Sequence, residues 1–360
     1  MAYTTINKST DYFDNKLWTG NETDNRDITG FNFAPDFAWI KARNNSYGHA
    51  LFDAVRGVNQ YLCTNASSGN ADQPSSGYIS QFNSDGYRLK HGSSTFRNVN
   101  DADDSTTYVS WNWKAGTTGS GTTTGSGTGK AYSYSVNTTS GFSIVKYTGN
   151  GTAGHTIPHH LGIAPTCTIV KALGNTESWQ VISSGLAADK FIQLNSGDAE
   201  MSQGSYNMFN STRPSSTVVT LGNQNHTNQD GIDYIMYNFC DIDGFSKSGR
   251  YIGNGNANGP FIYTGFKPAW LFIKSNSNSG NWLSYDNKRT VQNIPSGTPI
   301  NLNESNAEST DANYAIDFLS NGFKLRNTNG NIQNNGYQMF YLAFAAEPLV
   351  GSNDVPATAI

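Results

Sequence analysis

The chain has 360 residues and a net charge of −4, and only 14% of it is charged, against about 25% in an ordinary soluble domain. Sparse Lys and Arg, slightly outnumbered by acids, make a poor footprint for DNA or RNA, and 12% aromatic content argues against global disorder. No apolar run reaches a membrane-spanning length of about 18 residues, residues 1–14 contain no apolar signal-peptide core, and Cys63, Cys167 and Cys240 cannot make a disulfide framework or a zinc knuckle.

In chain order, residues 1–16 read as a polar and aromatic arm, an anchor or an edge strand. Three similar segments follow, so the chain divides into 17–114, a linker 115–130, 131–244, 245–350 and a tail 351–360. Each segment opens on an aromatic strand and a glycine turn: Leu17 to Asn21, Lys146 to Asn150 and Arg250 to Asn254. Next comes a proline and an apolar strand ending in lysine: Pro35 to Lys41, Pro165 to Lys171 and Pro268 to Lys274. Twelve residues beyond each lysine stand Asp53, Ser183 and Asp286, and a short piece ending in Asn65, Asn195 or Asn303 comes after. Each segment closes on an aromatic strand: Tyr108 to Trp113, Tyr234 to Phe239 and Met339 to Phe344. Four landmarks in one order, three times, indicate an internal repeat.

The apolar runs are about 5–7 residues long, rich in β-branched and aromatic residues, and broken by Gly, Asn and Pro. The expected fold class is all-β, with three repeated antiparallel β-sandwich units. A jelly-roll, lectin-like or immunoglobulin-like strand order is open at this point. Alternation puts Val109, Trp111 and Trp113 on one face, and Ile235, Tyr237 and Phe239 on one face of the second closing strand. One helical turn is the most that Ser178 to Lys190 can hold. The linker, built of Gly, Thr and Ser, reads as a flexible tether for the first unit or a strap across a neighbouring subunit. Only Phe245 to Gly249 separate the other two, which should pack as a pair.

Candidate chemistry is thin. His155, His159 and His160 lie in one loop and have imidazoles suited to a transition metal, or they are hydrogen-bonded turn residues. The acidic turns Asp241 to Gly244 and Asp101 to Asp104 offer oxygens for calcium, or are solvated turns; Asp241 and Asp243 are the metal candidates of the first. Trp39 and Trp270 sit inside apolar strands and read as core. Trp179 and Trp282 lie among Asn, Ser and Gly and are the candidates for stacking on a glycan, or else lock a hairpin. No spacing selects a glycosidase pair from the acids, and no phosphate loop or nucleophile elbow is present. The expectation is a protein with no cofactor and no enzymatic activity.

Three phrases carry a family resemblance: Gly141 to Gly154, Gly259 to Lys274, and Ile316 to Arg326 with Tyr341 to Ala345. They resemble repeat-containing, tail-fibre-like or uncharacterised virion structural proteins of tailed bacteriophages, especially those of marine bacteria and cyanobacteria. The resemblance runs from about residue 12 to residue 350. It implies concanavalin- or laminin-G-like sandwiches, location on the phage particle, head or tail, and other virion proteins as partners. It supplies no catalytic residues. Relatives are expected to carry Cys at the centre of the closing strand, where this chain has Asn112 and Asn238, so a thiol or metal role there is in doubt. The implied function is a self-associating capsid decoration, knob or fibre component, with a homotrimer suiting a fibre or spike. A tail-fibre module that binds a host surface glycan is the alternative, and a glycan depolymerase a remote third. Neither nucleic-acid binding nor membrane insertion is expected.

Overall fold

The chain folds as an all-β protein of antiparallel sheets, its α-helices single turns such as Gln203–Tyr206, Asn225–Asn228 and Gly330–Gln333. The structure, a computed structural model, describes residues 4–72, 75–92, 99–101, 103–289 and 297–348. The expected tail 351–360 lies outside the described residues.

One strand order occurs in three large sheets. In the first, Phe13–Thr19 pairs with the closing strand Thr107–Trp113, which pairs with the lysine strand Phe37–Ala42, which pairs with Ala50–Asp53. The second contains Phe142–Thr148, Asp233–Phe239, Cys167–Ala172 and Gln180–Ser183 in that order. The third contains Ser246–Ile252, Gln338–Pro348, Phe266–Ser275 and Leu283–Asp286. Registers agree as well: Trp111 lies between Asn15 and Trp39, Tyr237 between Ile144 and Ile169, and Leu342 between Ser248 and Phe272. Each segment also contributes to a three-stranded sheet, built around Gly86–Lys90, His155–Pro158 and Gly322–Leu325.

Antiparallel sheets commonly leave one face in water and alternate apolar with polar residues. The opening strands Phe13–Thr19 and Ser246–Ile252 follow that pattern, and the central strands do not. Phe37–Ala42 and Cys167–Ala172 are buried at every position, which explains their continuous apolar reading. One face of each closing strand packs toward its own three-stranded sheet, placing Tyr108, Met236 and Met339 in three separate clusters. The opposite faces meet in one shared core, which contains Trp111, Trp113, Tyr237, Phe239, Phe340 and Phe344. Rings from all three segments touch there. Phe37 lies 4.6 Å from Tyr237, Trp113 5.3 Å from Trp270, and Phe239 5.7 Å from Phe344. Such pairs contribute about 0.5–1.5 kcal/mol each beyond their burial.

The linker expectation is corrected by this structure. Thr117–Thr122 pairs along its length with Ala131–Asn137, and Thr124–Gly125 pairs with His155–Pro158. Low complexity hid a strand because ladder bonds use backbone groups common to every residue except proline. The glycines have a steric role: a Cβ on Gly119 would stand 2.5 Å from Tyr134, and one on Gly121 2.8 Å from Tyr132. Both tyrosine rings therefore lie across the strand. The first segment is not loosely tethered either, since its Trp39, Trp111 and Trp113 sit in the shared core. Its opening strand starts at Phe13, inside the expected arm, and Ile6 is fully buried in that core. Within Ser178 to Lys190 runs a strand, Gln180–Ser183, followed by a turn.

Candidate functional site

Eight residues beyond each matched lysine stand His49, Trp179 and Trp282. Their backbone N–H groups donate to Asn65, Asn195 and Asn303 Oδ1, each at 2.9 Å. Their ring nitrogens reach into a neighbouring segment. Trp179 Nε1 donates to Cys63 O at 3.0 Å, Trp282 Nε1 to Gln193 O at 3.0 Å, and His49 Nε2 to Asn301 O at 3.0 Å. The His49 tautomer follows from Trp39 Nε1, which donates to its Nδ1 at 2.8 Å. All three acceptors lie two residues before the matched asparagine. The second segment thus holds the first, the third holds the second, and the first holds the third.

A second cycle runs through the backbone. Asn70 N donates to Leu173 O at 2.9 Å, Glu200 N to Asn276 O at 3.1 Å, and Glu308 N to Arg43 O at 2.7 Å. Two of the three lysines help close the joints: Lys171 Nζ donates to Ser67 O and Lys274 Nζ to Gly197 O, both at 3.2 Å. Trp179 and Trp282 are fully buried in this ring. No sugar can stack on them, and the glycan expectation is corrected to an inter-segment fastening. The missed signal was their fixed offset from the lysine, shared with His49.

The matched acids fasten the ring too. Asp53 Oδ2 accepts from Arg56 Nε at 2.5 Å and from Tyr237 Oη at 2.7 Å, across segments. Asp286 Oδ2 accepts from Arg289 Nε at 2.5 Å and from Trp111 Nε1 at 3.0 Å. Both Oδ1 atoms accept turn N–H groups. Tyr237 and Trp111 share one register position, which Leu342 fills in the third closing strand. There the acid's counterpart is Ser183, so donor and carboxylate are lost together.

The histidines do not converge on a metal. His155 bonds Asn228 Oδ1 at 2.8 Å and Thr123 Oγ1 at 2.6 Å. His159 Nδ1 accepts from Leu161 N at 3.2 Å, which leaves its Nε2–H to donate to Ser215 O at 3.1 Å. His160 stacks on Tyr134 with ring centroids 3.8 Å apart and bonds Tyr132 Oη. Each imidazole is occupied locally, so the metal expectation is corrected to a structural one. Asp241 Oδ1 accepts from Thr166 Oγ1 and Ser248 N, while its Oδ2 pairs with Lys247 at 3.0 Å; Asp243 is exposed and forms no cluster with it. Among the described residues the carboxylates that converge are those of Glu22, Asp101 and Asp103, with ligand oxygens within 4.8 Å of one another. Oxygen donors of this kind suit calcium. Asp101 is buried and also accepts from Tyr47 Oη at 2.6 Å. Of the expected turn 101–104, Ala102 lies outside the described residues.

A family model described as a domain of unknown function (DUF7483) matches residues 8–348. The chain belongs to the DUF7483 family. No curated protein and no solved structure matches it. The DUF7483 match includes all three segments and the ring that joins them. No helix among the described residues is long and apolar enough to cross a membrane.

Burial lowers the three lysines of this DUF7483 chain, Lys41 to about 7 and Lys171 and Lys274 to about 8. Unfolded lysine titrates near 10.4. Above about pH 7 the unfolded chain therefore binds more protons than the folded one, and stability rises with pH. The urea midpoint is expected to be higher at pH 8.5 than at pH 7, with a smaller rise in Lys41→Met. A flat or falling wild-type midpoint would contradict this. On the acid side, burial lowers His49 to about 3 and His159 to about 4. Both protonate first in the unfolded chain, so stability should fall as pH drops below about 6.5.

Proposed function

We propose that the chain is a structural protein of a bacteriophage virion, attached to the capsid or tail as a decoration, knob or fibre component. In this reading it is three copies of one two-sheet β-sandwich, of the concanavalin or laminin-G kind. The observation that carries it is the closed cycle of fastenings, in which each segment holds the one before it around a common aromatic core. Such a body has few free joints and suits a mechanical task. The threefold arrangement expected of a homotrimer is supplied here within one chain, so self-association uses surfaces outside the ring. The reading includes no catalysis; the matched acids Asp53 and Asp286 are engaged by buried guanidinium groups.

The test is particle purification from cells carrying the gene, after infection or induction, followed by cryo-electron microscopy. Three-lobed density fitting this chain on a head or tail is the expected result. Detection of the chain in the lysate but not in purified particles would overturn the proposal.

A further inference from the structure

The three segments share a polar frame, and the second departs from it in charge. In the first and third, a buried guanidinium sits 2.5 Å from a carboxylate: Arg56 on Asp53, Arg289 on Asp286. The second has Ser183 and Leu186 at the matching places. A guanidinium is nevertheless present. Arg213 enters from the loop before Val218–Leu221 and donates through Nη1 to Ser183 O and through Nη2 to Leu186 O. Its partners are thus the carbonyls of the two residues that lack the acid and the arginine.

The loop that delivers Arg213 is fixed. Ser211 holds a left-handed conformation, with φ of 48°, which is uncommon for residues other than Gly, Asn and Asp. His159 pins the far side, bonding Ser215 O through its ring and Thr217 O through its backbone. No described carboxylate forms an ion pair with Arg213. The acids that act on it through space, Glu200 and Asp189, are engaged with Asn276 and Lys190. Of the five N–H groups of a guanidinium, the two carbonyl bonds use two.

Arg213 lines a surface cavity of about 370 Å³, within the range of about 300–1,000 Å³ usual for small-molecule sites. Pro165 and Pro214 supply apolar wall, and Thr166 and Ser184 supply hydroxyls; the buried Ser183 Oγ is taken by Ser248 Oγ and Gly185 N. Thr166 Oγ1 donates to Asp241 and Ser184 Oγ to Ser248 Oγ, so both keep lone pairs for a ligand's hydroxyl groups.

We propose that this cavity binds a sugar acid, whose carboxylate takes on Arg213 the place that Asp53 and Asp286 take in the other two segments. The planar fork of arginine matches a carboxylate, the Ser184 and Thr166 oxygens accept ring hydroxyls, and the prolines meet the C–H face. The inference is independent of the virion assignment and holds for a head or a tail protein.

The test is titration of the full chain with glucuronate and galacturonate, beside glucose and acetate, by calorimetry or ligand-observed NMR. At least one sugar acid is expected to bind ten-fold or more tightly than either control. Arg213→Gln, which keeps donors for the carbonyls but removes the charge, is expected to weaken it at least ten-fold with the thermal midpoint retained. Ser184→Ala is expected to weaken the sugar acid a few-fold and leave acetate unchanged, and it carries the test if Arg213→Gln does not fold. Absence of sugar-acid binding, equal binding of either control, or unchanged affinity in a folded Arg213→Gln protein would overturn the proposal. Failure here leaves the particle experiment unaffected.

Discussion

Replacing Trp282 with alanine is expected to destabilise the protein by about 3–5 kcal/mol, the range for removing a fully buried large aromatic side chain. Trp282 has no exposed surface and packs against Phe272 and Phe340, with ring centroids 5.4 and 5.6 Å away. Its indole also donates to Gln193 O and Ser196 O in the preceding segment. Alanine leaves a cavity and two acceptors without that donor, and an unsatisfied buried polar group costs about 1–3 kcal/mol. Trp282→His should lose less than Trp282→Ala, because His49 performs the same crossing in the first segment. Urea unfolding of the three proteins measures the order. A change below about 0.5 kcal/mol in Trp282→Ala, the size of an ordinary surface substitution, would mean that the residue is not part of the fastening.

Asp53→Ser is expected to cost about 3–5 kcal/mol, the usual result of breaking a buried ion pair from one side. The Arg56 side chain is 1% exposed, so its charge cannot turn to water. Tyr237 Oη loses its acceptor as well. Adding Arg56→Leu should recover part of the loss, since Ser and Leu are what the second segment carries at these places, as Ser183 and Leu186. The double variant being less stable than Asp53→Ser would show that the guanidinium is worth more than its burial costs. Its hydrogen bonds to Gln60 O and Leu51 O would then be the source of that worth.

Much of the fold was legible from residues alone. The alternation of Val109, Trp111 and Trp113 against Tyr108 separates the shared core from the first segment's own core, as the structure has it. Asn65, Asn195 and Asn303 were matched as landmarks, and each accepts the same backbone bond. The candidate sites were less legible. Trp179 and Trp282 lie among polar residues because they end at a joint between segments, where local composition resembles a surface loop. The histidine loop resembles a ligand set in spacing, but each ring is claimed by a partner distant in sequence, such as Asn228 or Ser215. Arg213 has no local pattern; it matters through what Ser183 and Leu186 lack.

By itself, the sequence determined the all-β class, the apolar strands and their inward faces, because side-chain alternation and turn chemistry act within a few residues. Only the tertiary structure decided that a glycine-rich stretch is a strand, that three segments close a ring, and that two tryptophans fasten it. Those outcomes depend on which carbonyl, ring or carboxylate a neighbouring segment presents, and hydrogen bonds and burial are satisfied in space rather than along the chain.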